Sequence, residues 1–227
     1  MELQRLHDWN LSPSEAVALQ NALAPRLISD QPLDLGAVRL VAGVDVSVQG
    51  NVSQAAVVVL TYPALQVVET VRHQMQTPFP YIPGLLSFRE GPVLEKAFEA
   101  LQRVPDAFIF DGMGRIHPRR IGIAAHMGLW LGKPTIGCGK THFIGEYTPP
   151  ADDRGSYSDL TDGGEVIGAV LRTRKATKPV YISVGHMADL PSAIALTMAC
   201  SPRYRLPEPI RQAHNAAGKD LSEVSDA

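Results

Sequence analysis

Residues 107–140, AFIFDGMGRIHPRRIGIAAHMGLWLGKPTIGCGK, constrain the fold more than any other stretch of the chain. Ala107 to Phe110 is a short unbroken apolar run that ends on Asp111 and is interrupted at once by Gly112 and Gly114. This pattern predicts a strand over 107–111, buried on both faces and delivering a carboxylate to its C-terminal edge. No Asp or Glu falls between Gly112 and Gly145, although 23 of the 227 residues are acidic. Arg115, Arg119, Arg120, Lys133 and Lys140 lie there instead, with His117, His126 and His142. An acid-free basic segment hanging off a buried Asp suggests an anionic, phosphate-containing substrate.

Upstream, Ser12, Pro13 and Glu15 form a capping box with proline at the first helical position, which predicts a helix over 13–24. Over 40–48 the residues alternate: Leu40, Ala42, Val44, Val46 and Val48 share one face, and Val41, Gly43, Asp45 and Ser47 the other. Asp45 thus stands mid-strand in apolar company. Strands over 54–60 and 65–74 follow across short polar or proline-containing links, giving an antiparallel meander of three. Then the pattern changes. Pro78, Pro80 and Pro83 make 78–84 a stiff loop, because each lacks a backbone donor and holds its predecessor extended.

A helix over 88–101, the strand 107–111, a helix over 118–130 with Pro118 near its first position, and a strand over 135–137 come next. Farther on, 166–173 and 179–184 read as a strand pair and 190–199 as a helix. The Pro-, Gly- and Asp-rich 147–164 reads as a surface linker, and the tail after Lys219 as frayed. Three antiparallel strands followed by alternating helices and parallel strands is the order of a ribonuclease-H-like fold. The expected class is α/β, with a central mixed sheet flanked by helices, in one domain over 1–227.

A chain 45% hydrophobic and 19% charged is neither disordered nor fibrous. Its formal net charge of −2 argues against coating nucleic acid non-specifically, but leaves room for a local basic cleft. Cys138 and Cys200 are far apart and in no metal-ligand spacing, so neither a disulfide framework nor a zinc site is expected. With no export signal or membrane span to be read, the expected species is a cytoplasmic monomer without membrane contact.

Three carboxylates stand out, each with a structural alternative. Asp45 could face water at a sheet edge, yet 41–48 is apolar, and a buried carboxylate needs a cation, a metal or a proton. Asp111 could be an ordinary Asp-Gly turn residue. Glu90 could cap a helix starting at Ser87, a role strained by Pro92 in the first turns. Convergence of these acids is what a pair of Mg²⁺ ions needs, namely hard oxygen ligands for displacement at phosphorus. Lys140 could bind a phosphate oxygen or simply snorkel. Tyr81 and Ile82, between Pro80 and Pro83, either pack under the loop or form an exposed apolar wedge for prying stacked bases apart.

The segments GVDVS at 43–47, PFPYIPGLLSFRE at 78–90, FDGMGRIHPRRIGIAAHMGL at 110–129, KPTIGCGK at 133–140 and YRLPEPIRQAH at 204–214 resemble, in order, the motifs of the endonuclease V family. That resemblance implies a Mg²⁺-dependent DNA repair nuclease, with Mn²⁺ able to substitute. It would act on damaged DNA, single- or double-stranded, nicking on the 3′ side of a deaminated base such as deoxyinosine. The base would stay in place, and the ends left would be 3′-hydroxyl and 5′-phosphate.

By the same resemblance Asp45, Glu90 and Asp111 are the metal-binding acids, with Lys140 and His214 as basic helpers. Pro80, Tyr81, Ile82 and Pro83 match the strand-separating wedge. Gly84, Gly112 and Ile123, with Leu85 and His117 beside them, border a pocket for hypoxanthine, and the basic segment itself offers Arg119, Arg120 and Lys140 to phosphates. Met113, Ala125 and Cys138-Gly139 depart from the family's usual residues, which bears on base selectivity and local packing. Rival readings are an inosine-specific endoribonuclease on the same fold, a catalytically silent nucleic-acid-binding module, and an aspartyl phosphotransferase. The last normally carries a second acid where this chain has Met113.

Overall fold

The computed structural model describes residues 1–219; the tail expected to fray lies outside the described residues. Eight strands form one sheet: β1 (Leu40–Gln49), β2 (Val52–Thr61), β3 (Val67–Gln76), β4 (Ala107–Phe110), β5 (Thr135–Gly139), β6 (Tyr157–Asp162), β7 (Glu165–Leu171) and β8 (Val180–His186). Their spatial order is β3-β2-β1-β4-β5-β8-β7-β6. The β1/β4 and β4/β5 pairs are parallel, and the other neighbours are antiparallel. Among the described residues five α-helices accompany them: α1 (Pro13–Leu23), α2 (Leu86–Glu99), α3 (Ile123–Leu131), α4 (Leu190–Ala199) and α5 (Glu208–Ala217).

The alternation of β1 separates two cores. Ala42 and Val44 pack with Ala55, Val57 and Val59 of β2 and Phe108 and Phe110 of β4 against α2 and α3. Val41, on the opposite face, joins Ile109, Ile136 and Ile182 against α4 and α5. This is the mixed sheet flanked by helices that the element order predicts. On the second face a side chain at Gly43 would come within 1.9 Å of the Pro209 carbonyl, so the glycine lets α5 lie directly on β1. Two residues along a strand and four along a helix advance by similar distances, roughly 7 and 6 Å. The seat at Gly43 therefore brings His214 of α5 level with Asp45 of β1.

α1 begins as expected, with the Ser12 side chain accepting from the Glu15 backbone and Glu15 reaching back to Ser12. Three expectations are corrected. First, the supposed linker 147–164 contains β6, the sheet's edge strand, paired only with β7 in the sheet order and with Leu160 as its one buried residue. Second, α3 starts at Ile123 rather than at 118: Arg120 is left-handed, with φ 59°, and Gly122 is the extended cap. Third, α2 starts at Leu86, one residue before Ser87, so Ser87 is a buried helical residue and no side chain caps the helix. Leu85 and Phe88 fix that start by packing with Phe79 and Ala16.

Candidate active site

The two strand carboxylates meet because of the parallel register. Val44 of β1 pairs with Phe110 of β4, and the Asp111 backbone N–H then donates to the Val44 carbonyl at 2.9 Å. Asp45 and Asp111 are thereby adjacent at the same end of the sheet. His214 Nδ1 stands 2.8 Å from Asp45 Oδ2, and the Lys140 ammonium, just past β5, pairs with Asp111 Oδ2. One donor atom from each of Asp45, Asp111 and His214 lies within 4.8 Å of the other two. Glu90, on the first turns of α2, is outside that tight group but feels the charge of both aspartates.

Burial and crowding oppose ionisation here. Asp45 is pushed up to about 6, first by desolvation and then by the Asp111 charge, with His214 and Lys140 pulling the other way. Glu90 is pushed up to about 8, first by desolvation and then by Asp45 and Asp111, with Arg89 opposing. Carboxyls held together at this cost call for positive charge, and Lys140 supplies only part of it. Carboxylate oxygens with an imidazole at the edge form a donor set that suits a hard divalent cation such as Mg²⁺ or Mn²⁺. Freed from capping, the half-buried Glu90 carboxyl feels the charge of both aspartates.

A cavity of about 180 Å³ opens beside the carboxylates, lined by Tyr81, Ile82, Gly84, Leu86, Gly112, Met113, His117, Ile123 and Phe143 among others. Its position follows from the chain: Gly112 and Met113 succeed Asp111, Leu86 and Ser87 lie one helical turn before Glu90, and Thr141 follows Lys140. The volume falls below the ~300–1,000 Å³ of sites for drug-sized ligands and suits a single flat ring system. The Gly84 carbonyl anchors the rim by accepting from Gln20 Nε2 at 3.0 Å, Arg119 Nη2 at 2.8 Å and His117 Nε2 at 2.9 Å. Because His117 Nδ1 accepts from the Arg119 backbone, Nε2 carries the ring proton. Burial lowers this histidine to about 4, so it lines the cavity as a neutral ring whose one N–H is given to Gly84.

The structure redistributes several expected roles. Leu85 does not line the cavity; it is buried beside Phe88, and Leu86 takes its place because α2 starts earlier than the pattern predicts. Arg119 is engaged with Gln20 and Gly84, and Arg120 is paired with Asp162 and Glu165, so both guanidinium groups are held by the protein. Tyr81 is 69% exposed at the cavity mouth, whereas Ile82 is partly packed against the Phe79 and Phe88 cluster. Thr141, His142 and Phe143 form a wall not predicted from sequence; the acid-free character of their segment is the only local signal. Ala125 sits in an apolar cluster with Leu23, Ile121 and Leu129, and Cys138 is buried in β5. Among the described residues no helix is long and apolar enough to cross a membrane.

The family model for Endonuclease V matches residues 21–215. The chain is 48% identical over 221 residues to an Endonuclease V of Dehalococcoides mccartyi, covering 96% of this chain and 98% of that protein. It superposes on Bacillus subtilis Endonuclease V with a TM-score of 0.91 at 31% identity, covering 96% and 95% of the two chains. It also superposes on Ciona intestinalis Endonuclease V, crystallised with a 24mer DNA containing an inosine followed by a ribo-adenosine. There the TM-score is 0.81 at 28% identity, covering 91% and 96%. With the paired aspartates of β1 and β4 and the adjoining cavity, these relationships place the chain in the endonuclease V family, the metal-dependent deoxyinosine 3′ endonucleases of deaminated-base repair.

Proposed function

We propose that this protein nicks DNA on the 3′ side of deoxyinosine, with Asp45, Asp111 and Glu90 holding Mg²⁺, for which Mn²⁺ can substitute. The observation that carries the proposal is the register of β1 and β4, which sets two aspartates side by side next to a ring-sized cavity. Bound there, the ion would supply Lewis acidity toward a phosphodiester oxygen. Lys140, beside Asp111, adds a point charge for the phosphate. His214, on an exposed ring, sets Nδ1 2.8 Å from Asp45 Oδ2 and so orients that carboxyl group.

Hypoxanthine lifted from the stack enters the cavity, its edge facing the His117 wall and its rings between Ile123 and the loop 81–84. Tyr81, exposed between prolines, enters the stack as the base leaves it. Phosphate contact is assigned to Lys140 rather than to Arg119 or Arg120, whose side chains brace Gly84 and β7. Incubation with a deoxyinosine oligonucleotide in Mg²⁺ should give one cut with 3′-hydroxyl and 5′-phosphate ends, and none in EDTA. Cutting that persists in EDTA would overturn the metal assignment.

One observation favours a second reading: the DNA bound by the Ciona relative carries a ribonucleotide after the inosine. A base pocket need not read the 2′ position. Side-by-side rates on matched inosine-containing DNA and RNA strands decide between the two, and faster cleavage of RNA would make this protein an endoribonuclease.

A further inference from the structure

Met113 lines the cavity, and its position depends on a glycine 26 residues away in sequence. A side chain at Gly139, the last residue of β5, would lie 2.2 Å from Met113 Cε and 2.7 Å from Met113 Sδ. The thioether therefore occupies the space that any larger residue at 139 would fill. Met113 also packs against the buried cluster that includes Ile116, Leu160, Ile167 and Tyr181. A methionine displaced from its seat can swing toward the cavity that it already lines.

We propose that Met113 and Gly139 form a single unit that sets the depth of the base pocket. The glycine is the seat of the thioether, and the thioether is the pliant wall that a purine ring meets. Two of the departures from the family pattern, Met113 and Gly139, are thus one paired feature. Methionine offers no hydrogen-bond donor and only a weak acceptor, so this wall selects by shape and contact rather than by reading a polar edge. The selected class is a bicyclic purine without a bulky addition. This inference rests on the cavity being the base pocket.

The test measures kcat and KM on single-stranded oligonucleotides carrying deoxyinosine or ethenoadenine, a purine with a third fused ring. The proteins are the native form, Gly139→Ala, Met113→Ala, the double variant and Thr141→Trp, each with its melting curve. A side chain pushed into an apolar pocket changes selectivity by about tenfold or more per methylene or two. Gly139→Ala should therefore raise KM for deoxyinosine by about tenfold. Adding Met113→Ala to it should restore the native value. Met113→Ala alone should shift the rate ratio toward ethenoadenine, a change that a merely structural role would not produce, and Met113→Leu, of similar volume, should leave the ratio native.

Thr141→Trp narrows the same cavity from its exposed rim and should also impair cleavage. If it does not, the base-pocket reading itself fails. If it does, while Gly139→Ala keeps a native KM, only the pairing is overturned. A loss in Gly139→Ala that is not restored in the double variant assigns the glycine to β5 packing and also overturns the proposal.

Discussion

His214 Nδ1 lies 2.8 Å from Asp45 Oδ2, linking an exposed helical residue to a strand carboxylate that is only 11% exposed. The contact exists because α5 seats its backbone on Gly43, two residues before Asp45 on the same face of β1. The geometry of this site thus depends on a close helix-to-strand approach as well as on the acids themselves.

The acids should destabilise the metal-free protein. Asp45 rises from an ordinary 3.8 to about 6 and Glu90 from 4.5 to about 8, so folding favours their protonated forms. Stability from Asp45 is fully present below its unfolded value and is lost as pH rises through its folded one; Glu90 behaves likewise up to about 8. Asp45→Asn should raise the melting temperature in EDTA at about pH 9 and leave it unchanged at about pH 4. At about 1.4 kcal/mol per pH unit the gain is at most ~3 kcal/mol, smaller after relaxation. Glu90→Gln should behave in the same direction, and a lower melting temperature at high pH would show that the acids stabilise the fold.

If the acids hold Mg²⁺ as proposed, the ion displaces those protons on binding. Calorimetric titration in buffers of different ionisation enthalpy should show proton release on Mg²⁺ binding that falls toward zero as pH rises above about 9. Affinity should increase over the same range. PH-independent binding would place the ion elsewhere.

Lys140→Ala should lower turnover and reduce the slope of log K against log salt by about one phosphate contact. Arg120→Ala should leave that slope unchanged, because Arg120 is spent on Asp162 and Glu165. It should instead cost about 1 kcal/mol of stability, read from denaturant melts. A reduced slope in Arg120→Ala would return that residue to the phosphate-binding set.

Tyr81→Ala should impair cleavage of deoxyinosine in duplex DNA more than in a single strand. Extracting a paired base costs a few kcal/mol that an unpaired one does not. The loss should be greatest opposite the best-pairing partner base. Equal losses on both substrates would assign Tyr81 to the pocket wall.

The meander, the two aspartates and their strands are legible because their signals are local: period-2 alternation around Asp45, and an apolar run broken by glycine after Asp111. What escapes the sequence is decided at long range. β6 reads YSDLTD, with Leu160 alone fully buried, so its strand character comes from pairing with β7 and not from its own composition. Arg120 resembles a helical cation in sequence, and only the acids at 162 and 165 reveal its left-handed, ion-paired state. Leu85 and Leu86 are identical in type, and a one-residue difference in where α2 begins sends one to the core and the other to the cavity. Ser87 carries every local mark of a cap, but burial beside Phe88 makes it a helical residue.

The central claim is that Asp45 and Asp111 serve cleavage rather than folding or binding. The most direct measurement follows an end-labelled duplex bearing one deoxyinosine with native protein and with Asp45→Asn in Mg²⁺, while fluorescence anisotropy records binding of the same duplex. The account predicts a single cut on the 3′ side of the lesion by the native protein. It predicts no cut by the variant, with affinity unchanged or tighter, because a negative charge near the phosphate has been removed. Cleavage retained by Asp45→Asn, or binding lost in parallel with cleavage, would contradict it.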